Sequence, residues 1–500
     1  MDKNMKNPHG TFLILCVLVA MGTMAAPAVG QQSKTLHRQL DPMVIRGEIV
    51  QPFWGHDISQ LRLYAYKGSR WQPIPYQIDK IDADGDYFIA LNSVPDQVRK
   101  EVDFDEISEE KKREERIKKF DNARDELLAN INRKKLSSKK FEELKRAAYF
   151  VENMSELDYN DELVFMARDS GDRAATSTWL AGKAIEIELL DPVDGTRAWV
   201  YLFYFMKNPP PRSGVDYISY NPEEDTIVSQ RMEIDFNNDK PMIIERLIGK
   251  PPGEQPLPDV LDRFKLRIRI KPRILFCLSL DFDENNTKAF TAGYKDGAVR
   301  VIRRSIFWIL IGGVKLPFAP KMISYLTSYE YGMATKAKYY VPVDMKWFLC
   351  EGSSFKAGLD LLETTYGAKV FSKDNPIGTM MIDGTMSKAE HGVVKKDQYW
   401  VAGYLPNRAA LISRMLYDPR MVELGATLDL AFEDDAALVD GTENEAGQHF
   451  VGHTLDLKRF PAGTYEFGFQ IYTAYGFEIE DVRQLLNIDD RPLEISNSTP

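Results

Sequence analysis

Two groups of charged residues have spacings that chemistry could use. The first is acidic. Asp82, Asp84 and Asp86 alternate around Gly85, and Asp158, Asp161 and Glu162 follow later in the chain. Alternate carboxylates about a glycine turn converge oxygens on a hard cation, as the first half of an EF-hand loop does, so Ca²⁺ is the ion these residues would hold. Such a site needs both segments, and therefore needs the intervening chain to bring its two ends together. The bland alternative is a solvated turn, since turn chemistry alone selects Asp and Gly. The second group is cationic: Lys265, Arg267, Arg269, Lys271 and Arg273 recur at every second position. On a strand all of them share one face. Guanidinium groups there would offer bidentate partners to the carboxylates of an acidic polysaccharide. The competing reading pairs the row with an acidic strand, for example the one carrying Glu186 and Glu188.

Signals for catalysis are weak. His449 and His453 have the spacing of two metal ligands on a helix, but the surrounding Val451-Gly452-His453-Thr454-Leu455 reads as a strand, and no Glu follows His449. No nucleophile elbow, phosphate-binding loop or dinucleotide fingerprint is present. Trp54, Trp71, Tyr76, Trp400 and Tyr404 could stack on sugar rings, although large aromatics on strands more often fill a core. No catalytic residue is singled out. An enzymatic role, if there is one, would be that of a polysaccharide lyase or glycoside hydrolase.

The elements that must position these residues read mostly as strands. Leu61 to Tyr66, Ala184 to Leu189 and Leu266 to Ile270 alternate, while Trp199 to Phe205 is a continuous aromatic and β-branched run suited to burial on both faces. Asp-Gly turns punctuate them at Gly85, Gly195, Gly297, Gly384 and Gly441. The fold class is therefore mainly β, with antiparallel β-sandwich domains. Residues 96–152 break the pattern. They are rich in Lys, Arg and Glu, carry apolar residues at helical spacing, and are expected to form an inserted, charged α-helical hairpin that could contact a protein partner.

The first residues, with Lys3 and Lys6 before an apolar run from Phe12 to Ala25 and small residues after it, read as a signal peptide spanning 1–30. The expected location is outside the cytoplasm: periplasmic, outer-membrane-associated or extracellular. No later apolar run is long enough to cross a bilayer as a helix; Ile306 to Val314 reads as a buried strand. Cys277 and Cys350 permit one disulfide in such a compartment. The net charge of −10 disfavours nucleic acid as a partner. Pro-rich segments at 209–211 and 250–258 suggest linkers. The expected division is an N-terminal β-sandwich domain over 31–255 carrying the insertion, a central β-domain over 256–380 and a C-terminal β-sandwich domain over 381–500.

With the insertion set aside, Gln77-Ile78-Asp79, Asp82-Ala83-Asp84-Gly85-Asp86 and Asp161-Glu162-Leu163-Val164-Phe165 resemble the Q-x-D-D-x-D-G-D-G-x-x-D-E-L-V-F signature of secreted β-sandwich proteins in bacterial polysaccharide-utilisation systems. The resemblance covers about residues 70–175. The second glycine of the signature is absent here and the insertion interrupts it. The resemblance implies a β-supersandwich and a connection with glycans. The leading functional expectation is an exported glycan-binding or glycan-processing protein, with Ca²⁺ as a stabilising ion. Its rival is a non-enzymatic structural or assembly component of the bacterial cell envelope, using the hairpin and the apolar strand near Trp308 as contacts.

Overall fold

The computed structural model describes residues 31–81, 85–89, 155–180, 183–311, 314–315, 322–341, 343–405, 409–440, 445–475 and 479–499, with single positions 118 and 122. The expected signal peptide, the expected hairpin (apart from those two positions), Asp82 and Asp84 lie outside the described residues. What is described is mainly β, and every strand pairing within its sheets is antiparallel.

The strand Arg197–Tyr204 shows how composition becomes position. Everything from Ala198 to Phe203 is buried. Ala198, Val200 and Leu202 point into a core with Ile45, Phe53, Leu163 and Phe165, whereas Trp199, Tyr201 and Phe203 point to an aromatic cluster with Tyr64, Tyr66 and Ala174. Successive side chains face opposite ways on a strand, so a run with no polar alternate is stable only in the middle of a covered sheet. It sits in a five-stranded sheet, ordered Glu494–Ser498, Lys183–Leu190, Arg197–Tyr204, Leu61–Lys67, Arg70–Pro73. A small sheet of Pro42–Arg46, Glu162–Met166 and Gln77–Asp79 completes this first unit.

The second unit begins with a four-stranded meander over residues 218–249. Two larger sheets follow. One has five strands, with Leu261–Ile270, Ser354–Leu361 and Glu445–Asp456 adjacent at its centre; the other has ten, with Gly332–Val341, Gly463–Tyr475 and Ala409–Tyr417 adjacent. Both sheets and the meander contribute to one apolar core that includes Ile234, Leu247, Phe355, Leu359, Val451, Phe467, Phe469 and Ile471. The helix Ile479–Asp490 lays Val482, Leu485 and Leu486 over Ala402, Ile412 and Ala474 of the ten-stranded sheet. No helix among the described residues is long and apolar enough to cross a membrane.

The expected domain boundaries shift. The meander shares its core with the later sheets, so the break between units falls at the proline-rich segment 209–211 rather than near 255. Residue 380 separates nothing: Gly332–Val341 pairs with Gly463–Tyr475, and Ser354–Leu361 with Glu445–Asp456. The five-stranded sheet that contains the first unit's core is closed by the C-terminal strand Glu494–Ser498.

Cys277 and Cys350 are joined, with 5.8 Å between their Cα atoms. At the centre of the second unit Gly358 and Gly452 are cross-strand partners. A Cβ at Gly452 would stand 2.3 Å from the Ala357 carbonyl oxygen and 2.5 Å from the Gly358 Cα. Only glycine lets the two backbones approach so closely. Gly452→Ala is therefore expected to destabilise the fold by about 1–3 kcal/mol, the usual cost of overpacking. Gly214→Ala, where nothing lies within 4 Å, serves as the control. Thermal and urea unfolding of the two variants check this, and equal midpoints would count against it.

Candidate functional site

The two halves of the acidic signature do come together. Gln77, Ile78 and Asp79 pair in register with Val164, Leu163 and Glu162. The cations they meet are the protein's own. Lys80, itself buried, places its Nζ 2.9 Å from Asp158 Oδ2 and 2.5 Å from Asp161 Oδ2. Arg300 donates from Nε to Asp79 Oδ2 at 2.8 Å and stands 2.5 Å from Glu162 Oε2. Lys295 Nζ lies 2.7 Å from Asp79 Oδ1. Asp86 faces Lys338 at 3.2 Å. Among the described residues no group of three or more His, Cys, Asp or Glu is gathered to hold a metal.

Burial and neighbours push these carboxyls in opposite directions. Burial raises Asp158, the nearby charge of Asp161 adds to it, and Lys80 only partly offsets both, leaving Asp158 at about 7. Asp161 is also raised, by burial against the pull of Lys80. Burial pushes Asp79 up as well, but Arg300 and Lys295 outweigh it and hold the group below the usual carboxylate range.

The cationic row divides. Lys265 is buried and pairs with Asp360 of the neighbouring strand. Arg267 pairs with Glu284, and Arg269 with Asp281 at 2.6 Å. Cross-strand pairing thus prevails, though not with the strand named from sequence: Glu186 accepts from Arg173, and Glu188 from Arg197. Lys271 and Arg273 lie past the strand's end, where Pro272 and a 3-10 turn stop it.

His449 and His453 share one strand, where four residues span roughly 13 Å, too far for one metal ion. His453 is fully buried and pushed down to about 4 by that burial. His449 Nδ1 is 2.5 Å from Asp434 Oδ1, and this hydrogen bond holds its pKa above the ordinary histidine value. The candidate sugar-stacking aromatics are structural: Trp54 donates to the Gly47 carbonyl, Tyr76 to that of Leu61, and Trp71 to that of Thr178. Trp400 and Tyr404 pack against the cluster under the C-terminal helix. Ile306, Phe307 and Trp308 are buried too.

A groove that sequence reasoning missed lies on the outer face of the ten-stranded sheet. Its volume is about 600 Å³, within the usual range for ligand sites, and Lys336, Arg414, Leu416, Tyr417, Asp418, Glu423 and Glu466 line it. Gly468 sits between Lys336 and Leu416 in one cross-strand row and keeps the floor low. A Cβ there would fall 1.8 Å from the Thr335 carbonyl oxygen. Arg414 is braced from behind, donating from Nη2 to Asp490 Oδ1 of the C-terminal helix at 2.6 Å. Lys336, Glu423 and Glu466 are exposed, and none makes a side-chain hydrogen bond or ion pair among the described residues. The signal in the sequence was charge at outward strand positions, but the register that gathers Lys336, Arg414 and Glu466 joins strands far apart in the chain.

No family model matches the chain, and no curated protein does. Among solved structures it is similar to an alpha-mannosidase from Enterococcus faecalis, with 8% identity and a TM-score of 0.36, over 65% of this chain and 40% of that one. A glycosyl hydrolase family 38 protein from the same organism shows 6% identity and a TM-score of 0.39, over 94% of this chain and 47% of that one. The chain thus spans less than half the length of either protein, and a likeness at these scores assigns neither fold nor activity.

The Asp158 shift has a consequence for stability. Its folded pKa lies above its ordinary value of 3.8, so between these two values the folded state binds more protons than the unfolded one. Its contribution is then full below about pH 4, declines by up to a few kcal/mol as pH rises towards 7, and is flat above that. Asp158→Asn removes the titration. Chemical denaturation from pH 4 to 8 is expected to show a flatter profile for the variant than for the wild type, whatever its absolute loss. Parallel profiles would refute the assignment.

Proposed function

We propose that this chain is an exported β-sandwich protein that binds a glycan in the groove on its ten-stranded sheet. The observation that carries this reading is a contrast in how charge is used. Asp79, Asp86, Asp158, Asp161 and Glu162, with Lys265, Arg267 and Arg269 of the cationic row, are paired within the fold. In the groove Lys336, Glu423 and Glu466 make no side-chain hydrogen bond or ion pair among the described residues, and with Tyr417 they line a concavity of about 600 Å³. Mixed donors and acceptors next to an aromatic ring suit a polyhydroxylated ligand, whose hydroxyls need both kinds of partner and whose C–H faces pack on a ring. The shared core of the five- and ten-stranded sheets supports the sandwich arrangement. The N-terminal charge and apolar pattern supports export.

The sequence reading placed an acidic polysaccharide on the row from Lys265 to Arg273. The groove replaces that row as the binding surface, and its mixed charge favours neutral or zwitterionic sugars over polyuronates. The mature protein screened on a glycan array, with calorimetry on the strongest ligand, tests the proposal. Lys336→Ala and Tyr417→Ala should each weaken binding about tenfold, the worth of one or two lost hydrogen bonds or a stacking contact. Lys336 is exposed, so its variant should keep the wild-type unfolding temperature, whereas Tyr417 also packs against the core and its variant should lose some stability. Arg267→Gln should instead lower stability and leave affinity alone. Equal affinity in wild type and both groove variants would rule the groove out.

A further inference from the structure

The segment Ile274 to Leu280 is the most exposed apolar stretch among the described residues. Ile274 is 86% exposed, Phe276 91% and Leu278 68%. Across from it the short helix Met345–Phe348 presents Trp347 at 68% and Phe348 at 54% exposure. The tip is held rigidly. Phe276 and Cys277 take left-handed backbone conformations, with φ of 53° and 64°. The Phe276 and Leu278 amides donate to the carbonyls of Arg273 and Leu275. The Cys277–Cys350 bond and the Cys350 amide, donating to the Lys271 carbonyl, tie the tip to the neighbouring helix. Water-exposed Ile, Phe, Leu and Trp, fixed in place by a cross-link, form a built feature that loose chain would not need.

We infer that this disulfide-pinned tip inserts into the interface of an anionic phospholipid bilayer. Side chains exposed to nearly their full extent stand clear of the surface. A fluid bilayer accepts such a projection without a matching socket, whereas a protein partner would require one. Charge complements this geometry. Arg269, Lys271, Arg273 and Lys346 surround the base of the tip, and Lys346 lies 5.5 Å from the Trp347 ring centroid. Asp281 takes up Arg269 and lies near Lys271, and Asp344 stands 3.8 Å from Lys346. Glu351 beside the disulfide pairs with Lys458 and lies near Arg273, but Lys271 and Arg273 form no ion pair of their own among the described residues. A local cationic excess on a chain of net charge −10 suits anionic headgroups, and an exposed Trp suits the membrane interface. This anchoring is independent of the groove, which lies on a different element of the fold.

Sedimentation of the mature protein with vesicles of phosphatidylglycerol and phosphatidylcholine, and with phosphatidylcholine alone, tests it. Binding is expected to the anionic vesicles and to fall as salt is added. Ile274→Ser with Phe276→Ser should reduce partitioning roughly tenfold or more, since two large apolar side chains are lost from the interface, with no change in unfolding temperature because both are exposed. Lys271→Gln with Arg273→Gln should remove the preference for anionic lipid, while Lys336→Ala should bind as wild type. Failure of the wild type to sediment with anionic vesicles would overturn the inference, as would unchanged binding of the Ser variant. So would wild-type self-association in ultracentrifugation that the Ser substitutions abolish, because the tip would then be covered by a second copy.

Discussion

A guanidinium buried between two units organises this molecule. Arg300 stands at the start of the strand Arg300–Ile311 in the second unit, is 1% exposed, and reaches carboxylates that belong to the first. Asp79 and Glu162 receive it from adjacent strands, Tyr329 accepts from its Nη1, and Gln77 Oε1 accepts the backbone amides of Val299 and Arg300. A guanidinium removed from water without partners would cost several kcal/mol, so burial and pairing must occur together. The two units therefore dock in one register. A second polar contact agrees with the first: Arg168 pairs with Glu330, donates to the Tyr331 hydroxyl and lies over the Tyr217 ring, which in turn donates to Asp169. Apolar side chains such as Val164, Met166 and Val299 fill the space between these contacts.

The same economy explains why the acidic signature behaves as it does. A cluster of Asp and Glu at a strand junction needs positive charge from somewhere, and here Lys80, Lys295 and Arg300 supply it from the chain itself. Asp79 and Glu162, so engaged, bind the two units together.

The strands were legible because burial leaves a periodic trace that does not depend on which neighbour does the burying. The run from Trp199 to Phe205 could be placed inside a sheet from its composition. The two ends of the insertion were expected to lie close together because a hairpin returns to its origin, and the pairing of Asp79 with Glu162 bears on this. The fate of each charge was not legible. Period two says that Lys265 and Arg267 share a face, but whether that face meets solvent, Asp360 or Glu284 depends on pairings between strands far apart in sequence. The groove was invisible for the same reason: Lys336, Arg414 and Glu466 become neighbours only through the order of strands in the ten-stranded sheet. The boundary near 380 failed because composition marks loops, and a loop that looks like a linker can still join two strands of one sheet.

The strand Glu494–Ser498 bears on the order in which the chain can fold. It completes the first unit's sheet by pairing with Lys183–Leu190, and Ser498 reaches Glu186 across a sequence separation of 312. Until residues 494–498 have been synthesised, the edge of Lys183–Leu190 lacks this partner, and an uncovered edge is a template for pairing with other chains. The entropy of closing so long a loop must be met before that strand contributes anything. The first unit consequently reaches its complete sheet only through a strand encoded far downstream of it. Its sheet closes only when residues 494–498 arrive, which favours a nascent chain kept unfolded at least until then.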